Sequence, residues 1–252
     1  MIKRLSCVLK LNDSSTGRNL QSSEAALYVD GVRTPHQYKA GGYFVLIDLL
    51  EGIHKIRIIS PIYQTAEIDA VVDYSIPFNE KENVIYAMLN PSPQNPQTAV
   101  RPCVKGLLKN AGGRVFLLLD HKELKIAEDN ANVGSTLIKM FCTSVPTIPL
   151  MFLINDKSSQ KKEFVVIKGV SGDGFMLAGP LKYAHSRSTA VIELIEYSVD
   201  ENGRFFAMLP NGFPKNGEGK ISAVFMLSDN GSLISKKFSL NGKGVTEVIP
   251  EE

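Results

Sequence analysis

Apolar and polar side chains alternate along almost the whole chain, and stretches of helical periodicity are nearly absent. Near the start, Leu5, Cys7, Leu9 and Leu11 occupy every second position. A period of two puts such side chains on one face of a strand, where they can be buried while their neighbours face solvent. Short stretches of this kind recur between turn signals through residues 1–90, and this arrangement predicts a β-sandwich.

Turn residues separate the strands of this first region. Asp30-Gly31 has the residue types of a type I′ hairpin turn. Gly52 supplies the backbone freedom that a second tight turn requires. The strands predicted between the turns are Ala25–Val29, Val32–Tyr38, Tyr43–Leu49, Ile53–Ser60, Ile68–Val72 and Val84–Leu89.

Four alternating residues identify the expected core of the sandwich. Phe44 and Leu46 project to one face of their strand, and Ile56 and Ile58 do the same on the next strand. We therefore expect these side chains to close the core between two sheets.

The stretch from Asp13 to Tyr63 carries a pattern that resembles a known family. It begins with the turn Asp13-Ser14-Ser15-Thr16-Gly17 and continues through Gly42-x-Phe44-x-Leu46-x-x-Leu49-x-x-Gly52-x-His54-x-Ile56-x-Ile58. This pattern resembles the carboxypeptidase-regulatory-like module, a transthyretin-like β-sandwich. The chain departs from it at Asn19, where proline is commoner, and at His54, where an aromatic residue is usual. The resemblance implies a structural or attachment module that accompanies a function located elsewhere.

A proline-rich segment follows the first region and predicts a domain boundary. It lies between Asn90 and Pro102 among Ser, Gln, Asn and Thr. Proline cannot donate to a strand ladder, and this density favours an extended, semi-stiff connector. The predicted organisation is a sandwich over residues 1–90, a linker over 91–102 and a second unit over 103–252, with a further candidate boundary near Gly179.

The second half is also rich in strand patterns. Thr147–Ile154 is apolar on both faces, as expected for a central strand, although an edge strand that pairs with another subunit has the same pattern. The stretch His121–Asn132 is the one candidate helix. Asp229-Asn230-Gly231 predicts a hairpin turn. The sequence therefore predicts an all-β fold, with an N-terminal immunoglobulin- or transthyretin-like sandwich and a second all-β unit, either a barrel or a sandwich.

Composition excludes several classes of function. The 252 residues include 28 Lys and Arg against 26 Asp and Glu, giving a net charge of +2. This balance, without a basic stripe interleaved with aromatic residues, argues against a nucleic-acid partner. No apolar run reaches the roughly 18 residues of a membrane span. The N-terminal apolar run is interrupted by Lys10, Asn12 and Asp13, so we expect cytoplasmic synthesis without a signal peptide.

Motifs for metal, cofactor or covalent chemistry are lacking. The three cysteines, Cys7, Cys103 and Cys142, are widely spaced and are expected to be buried thiols. The four histidines show none of the spacings of a local metal site. One of them, His54, is in phase with Ile56 and is expected to be a hydrogen-bonded core residue. The sequence predicts no cofactor, no metal and no enzymatic activity.

Two tyrosine-containing loops are the candidate partner-binding sites. Tyr183, His185 and Arg187 fall within one short polar loop, and Tyr38 and Tyr43 flank another. Loops of this composition supply polar binding patches, although an ordinary exposed loop has the same composition.

The leading hypothesis is a structural or adaptor protein that contacts other protein subunits of a larger assembly, with self-association as one form of it. The chain is also similar in organisation to accessory proteins of phage-tail-like contractile injection particles, which implies a cap, baseplate or spike accessory in a particle that is released or docked at the cell envelope. The alternatives are a cell-surface or glycan-binding module, which would use the two loops, and a hydrolase on a β scaffold.

Overall fold

The computed structural model describes residues 4–77, 84–108, 113–141, 150–229 and 232–248. Short 3-10 helices cover Ser22–Glu24 and Pro96–Ala99. The first eleven strands are β1 (Leu5–Asp13), β2 (Ala26–Val29), β3 (Val32–Thr34), β4 (Gln37–Lys39), β5 (Tyr43–Ile47), β6 (Gly52–Ile59), β7 (Ala66–Val72), β8 (Val84–Leu89), β9 (Pro102–Leu107), β10 (Arg114–Ile126) and β11 (Asn130–Ala131). The others are β12 (Leu137–Ile138), β13 (Met140–Phe141), β14 (Leu150–Asp156), β15 (Lys161–Ser171), β16 (Gly174–Leu177), β17 (His185–Ser186), β18 (Ala190–Tyr197), β19 (Arg204–Met208), β20 (Ile221–Asp229), β21 (Ser232–Leu240) and β22 (Gly244–Val248).

The chain forms two compact units that are interleaved along the sequence. Unit 1 contains Met1–Leu108, Asp200–Ser222 and Ser239–Glu252, whereas unit 2 contains Lys109–Val199 and Ala223–Phe238. The proline-rich segment belongs to unit 1, where it bends and makes local hydrogen bonds. Its Asn95 side chain accepts a hydrogen bond from the Gln97 backbone N–H at 3.0 Å and so caps a 3-10 helix.

The N-terminal part of unit 1 is a two-sheet sandwich. One sheet has the strand order β4-β5-β1-β8 and the other has the order β3-β2-β6-β7. Phe44, Leu46, Ile56 and Ile58 are all fully buried between them. Alternation along β5 and β6 therefore predicted the correct face of each strand.

A three-stranded sheet completes unit 1, with the order β19-β9-β22. β19 pairs with β9 in the antiparallel sense, and β22 pairs with it in parallel. Cys103, Phe206 and Met208 form a small buried cluster on these strands. This sheet joins segments that lie far apart in the sequence.

Unit 2 is built on a nine-stranded sheet with the order β12-β16-β15-β14-β18-β10-β20-β21 and with β13 attached to β10. The central strand β14 buries Phe152 and Ile154 on one face and Leu153 on the other. This is the central strand that the continuous apolar run predicted, although Thr147–Pro149 lie outside the described residues. None of the sheets in the described ranges closes into a barrel. The all-β prediction is confirmed.

The one candidate helix was wrong. Residues 121–126 belong to β10, and Asn130–Ala131 form the short strand β11. Leu124 and Ile126 are both buried, so this stretch has the period of two that a strand requires. The predicted turn residues Asn230 and Gly231 lie outside the described part of the chain.

Candidate functional site

The first predicted loop contains Tyr183, His185 and Arg187, of which two are exposed and one is buried. Tyr183 is exposed, and the Lys161 ammonium lies 5.7 Å from the centre of its ring. Arg187 is also exposed, pairs with Asp129 at 3.2 Å and lies over the ring of Phe141. The two side chains therefore have different partners.

His185 is fully buried and pairs with a buried carboxylate. Its Nε2 lies 2.6 Å from Oε1 of Glu163, on strand β15 of the nine-stranded sheet. The same carboxylate accepts backbone N–H bonds from Lys182 and Tyr183, at 2.9 Å and 3.3 Å. His185 thus anchors the loop from inside and presents no surface to a partner in this conformation.

Tyr38 and Tyr43 project to opposite sides of their sheet. The Tyr38 ring packs edge-on against the core residue Phe44, and its hydroxyl donates to the Leu20 carbonyl oxygen at 2.9 Å. Tyr43 lies on the outer face, where the Lys10 ammonium lies 5.1 Å from its ring centre and 5.9 Å from that of Tyr86. The structure therefore groups Tyr43 with Tyr86, a residue that the sequence patterns did not single out.

His54 holds a turn at one end of the sandwich. Its Nδ1 lies 2.7 Å from Oδ2 of Asp30, and its Nε2 lies 2.8 Å from the Leu50 carbonyl oxygen. Because both partners accept hydrogen bonds, only the protonated ring satisfies both of them. The Leu50 carbonyl and then the Asp30 carboxylate raise the pKa of His54 above its ordinary value. The residue is a hydrogen-bonded histidine at the rim of the core.

Four large aliphatic side chains are exposed at this end of the sandwich. They are Leu50, Ile53, Val71 and Ile76, with 80%, 75%, 71% and 57% of their surface exposed. Ile53 on β6 and Val71 on β7 are direct cross-strand partners. We call these four residues the Leu50 patch.

Hydrogen bonds from Tyr74 join the two turns that carry the patch. Its hydroxyl donates to the Leu49 carbonyl oxygen at 2.7 Å, and its backbone N–H donates to the Glu51 carboxylate at 3.3 Å. The turn that bears Ile76 is therefore fastened to the turn that bears Leu50. These two hydrogen bonds hold the two turns together.

The patch lies beside an open sheet edge. β7 is the last strand of its sheet in the described part of the chain, so its outer backbone groups face away from β6. Glu67 and Asp69 alternate outward with Val71 along this strand. Charges on an edge strand oppose indiscriminate pairing with other strands. Glu67 and Asp69 therefore protect one half of the β7 edge, whereas the half that contains Val71 is apolar.

Titratable chemistry is sparse among the described residues. Burial raises the pKa of Cys7 and of Cys103 to about 11, so neither thiol is a thiolate near neutral pH. Cys142 lies outside the described residues. Within the described ranges no three His, Cys, Asp or Glu side chains converge as a metal site would require. No helix there is long and apolar enough to cross a membrane.

Comparison with known proteins adds no assignment: the chain matches no protein family, no curated protein and no solved structure. The resemblance to the carboxypeptidase-regulatory-like module therefore stays a prediction.

Proposed function

We propose that this chain is a non-enzymatic structural or adaptor protein that docks onto another protein subunit of an assembly through the Leu50 patch. The observation that carries the proposal is the grouping of four aliphatic side chains, each more than half exposed, at one braced end of a sandwich. Scattered apolar residues are normal on protein surfaces, whereas a contiguous group marks an interaction site.

Burial of the patch supplies a driving force for association. Full burial of one aliphatic side chain contributes about 1.5 to 3 kcal/mol. Leu50 and Ile53 retain 80% and 75% exposure in the free chain, so most of that contribution is still available to a partner. The adjacent edge of β7 offers backbone groups that an incoming strand would pair with.

Site-specific photocrosslinking tests the proposal. Benzoylphenylalanine is placed at position 53, and the chain is expressed in its native cells before irradiation. We expect one discrete crosslinked partner, identified by mass spectrometry. Substitution Val71→Lys in the same chain should remove that product, because an ammonium beside position 53 cannot be buried against an apolar partner.

Val32 provides the matched control. It is an aliphatic residue of the same sheet with 69% exposure, and it lies on β3 at the opposite edge. The same crosslinker at position 32 should give none of the product obtained at position 53. Equal products at both positions, or a position-53 product that survives Val71→Lys, would overturn the proposal.

A place in a phage-tail-like contractile injection particle is the narrower form of this proposal. It rests on the similarity of chain organisation and implies that the partner is a sheath, tube or baseplate subunit. Genes for such subunits beside the coding sequence would support it, and their absence would leave a different assembly as the setting.

A second candidate function is a glycan- or receptor-binding module. Lys10 between Tyr43 and Tyr86 gives a face with two aromatic rings around one cation. Aromatic rings with polar neighbours stack against sugar faces. Binding on a glycan array that is lost in Tyr86→Ala and kept in Tyr28→Ala would favour this module, and no binding at all would reject it.

A further inference from the structure

A cleft opens at the other end of the same sandwich, where β6 ends. Its volume is about 870 Å³. Its polar lining comes from Ser22, Ser23, Thr34, His36 and Ser60, and alanine, leucine, isoleucine and proline side chains line the rest. Residues 53 and 59 stand at opposite ends of β6, about 20 Å apart at the usual rise of a strand, so this cleft is separate from the Leu50 patch.

One residue of the cleft lining carries a full positive charge. Arg33 is the only residue among its described lining that is charged at pH 7, since burial lowers the pKa of His36 and keeps that ring neutral. Arg33 forms no ion pair with another described residue. Its five N–H donors are therefore available to a ligand.

The neighbouring arginine, Arg57, differs from Arg33 because it forms an ion pair. Cross-strand pairing sets Arg33, Tyr28 and Arg57 in one row across β3, β2 and β6. Arg57 reaches the Glu67 carboxylate at 3.8 Å on the next strand. Two arginines thus share a row, and the unpaired one lies at the cleft.

His36 and the serine hydroxyls add directional groups to the lining. The His36 Nε2 lies 2.9 Å from the Ser22 hydroxyl, and the imidazole ring packs 4.9 Å from the ring centre of Phe44. These contacts orient the His36 ring toward the Ser22 hydroxyl. A guanidinium and hydroxyl groups that line one cleft match an anion carried on a hydroxylated molecule.

We propose that this cleft is a binding site for a phosphate-type oxyanion, with Arg33 as its counter-ion and the serine hydroxyls as hydrogen-bonding partners of the molecule that carries it. Arg33 grips the oxyanion with paired N–H donors. The apolar walls and the hydroxyls contact the rest of the ligand.

Titration of the ¹⁵N-labelled chain tests the site with inorganic phosphate, glucose 6-phosphate and glucose at constant ionic strength. We expect both phosphates to shift the amide signals of Ser22, Ser23 and His36, and glucose alone to leave them unchanged. Tighter binding of the ester than of inorganic phosphate assigns the site to a sugar-phosphate-like ligand, and equal binding assigns it to the free anion; both outcomes support the site.

Two variants decide the role of the charge. Arg33→Gln should weaken phosphate binding at least about tenfold, because hydrogen bonds to a charged group contribute roughly that much. Arg57→Gln is the matched control and should bind as the unmodified chain does. An unchanged affinity in Arg33→Gln, an equal loss in Arg57→Gln, or saturating phosphate that leaves the three amide signals unmoved would overturn the proposal.

Discussion

The Glu163 carboxylate collects three hydrogen bonds inside unit 2, and its removal would leave all three donors without an acceptor. Leaving buried hydrogen-bond donors without an acceptor usually destabilises a protein by about 1 to 3 kcal/mol. We expect Glu163→Ala to lower the free energy of unfolding by that amount in urea denaturation. Glu196→Ala is the control: this carboxylate pairs with Arg114 at a partly exposed site, so its loss should change stability by less than about 1 kcal/mol. Similar losses in both variants would contradict the role of burial.

His54 makes stability depend on pH in a defined direction. Its pKa is raised in the folded chain above the ordinary 6.5 of the unfolded chain. The protonated ring therefore stabilises the fold fully below pH 6.5, and this contribution is lost as pH rises through the folded pKa. His54→Phe removes the titration.

The measurement for His54 is a series of urea denaturations from pH 5.5 to 9. We expect the stability difference between the unmodified chain and His54→Phe to be largest at the acid end and to shrink as pH rises, since the ring then loses one of its two acceptor contacts. A difference that stays constant, or that grows with pH, would show that the ring is not charged in the fold.

At the scale of elements, the turn before β5 tolerates no side chain at Gly42. Its φ is +83°, and an added Cβ would lie 2.6 Å from the Cβ of Asn19. Asn19 cannot move away easily, because its side-chain oxygen accepts a hydrogen bond from Asn12 at 2.9 Å. We expect Gly42→Ala to lower the free energy of unfolding by about 2 to 4 kcal/mol, from backbone strain together with overpacking.

A variant at Gly31 separates the cost of backbone strain from the cost of overpacking. It has a φ of +84° in the turn between β2 and β3, with nothing within 4 Å of an added Cβ. Gly31→Ala should therefore cost only the backbone strain, about 1 to 2 kcal/mol, in the same thermal or urea denaturation. If Gly42→Ala and Gly31→Ala lower the free energy of unfolding equally, the contact with Asn19 does not contribute to the loss of stability.

Local periodicity was enough to predict individual strands and the faces that they bury. Phe44 and Ile56 are buried as expected because alternation is a property of each strand alone. The parallel pairing of β9 with β22 could not be predicted, since its two strands are far apart in the chain and no turn connects them. The candidate helix was wrong because Leu124 and Ile126 lie two positions apart, which is the period of a strand, and both are buried in β10.

The surroundings of the candidate site residues could not be predicted for a similar reason. The burial of His185 depends on Glu163, which lies on a different strand. The exposure of Ile53 and Val71 could be predicted from the sequence. Ile53 is out of phase with the core residue Ile56 on β6, and Val71 is out of phase with the core residue Ala70 on β7. Their grouping required the register between β6 and β7, which alternation does not specify.

At the scale of the molecule, a buried arginine joins distant segments of unit 1. Arg101 donates to the Ser15 hydroxyl at 2.8 Å, the Ser15 carbonyl oxygen at 3.2 Å and the Leu209 carbonyl oxygen at 2.6 Å. The Ser15 hydroxyl in turn donates to the Asp13 carboxylate at 2.6 Å. The sandwich and the segment after β19 therefore share one polar network.

Lysine cannot reproduce this network, because one ammonium does not reach three acceptors as a guanidinium fork does. We expect Arg101→Lys to lower the free energy of unfolding by about 3 kcal/mol and to raise hydrogen exchange at the amides of Ser15 and Leu209. Arg114→Lys, at a partly exposed ion pair, should change stability by less than about 1 kcal/mol. Unchanged exchange at Ser15 in Arg101→Lys would refute the link.

The interleaving of the two units sets an order of events on the ribosome. β9 leaves the exit tunnel long before β19 and β22, the two strands that flank it in the finished sheet. At about 5 to 20 residues added per second, that strand waits on the order of ten to thirty seconds for β22. Through that interval both its edges are open to nascent neighbours and to chaperones, so premature termination would release a protein with a permanently unfinished sheet.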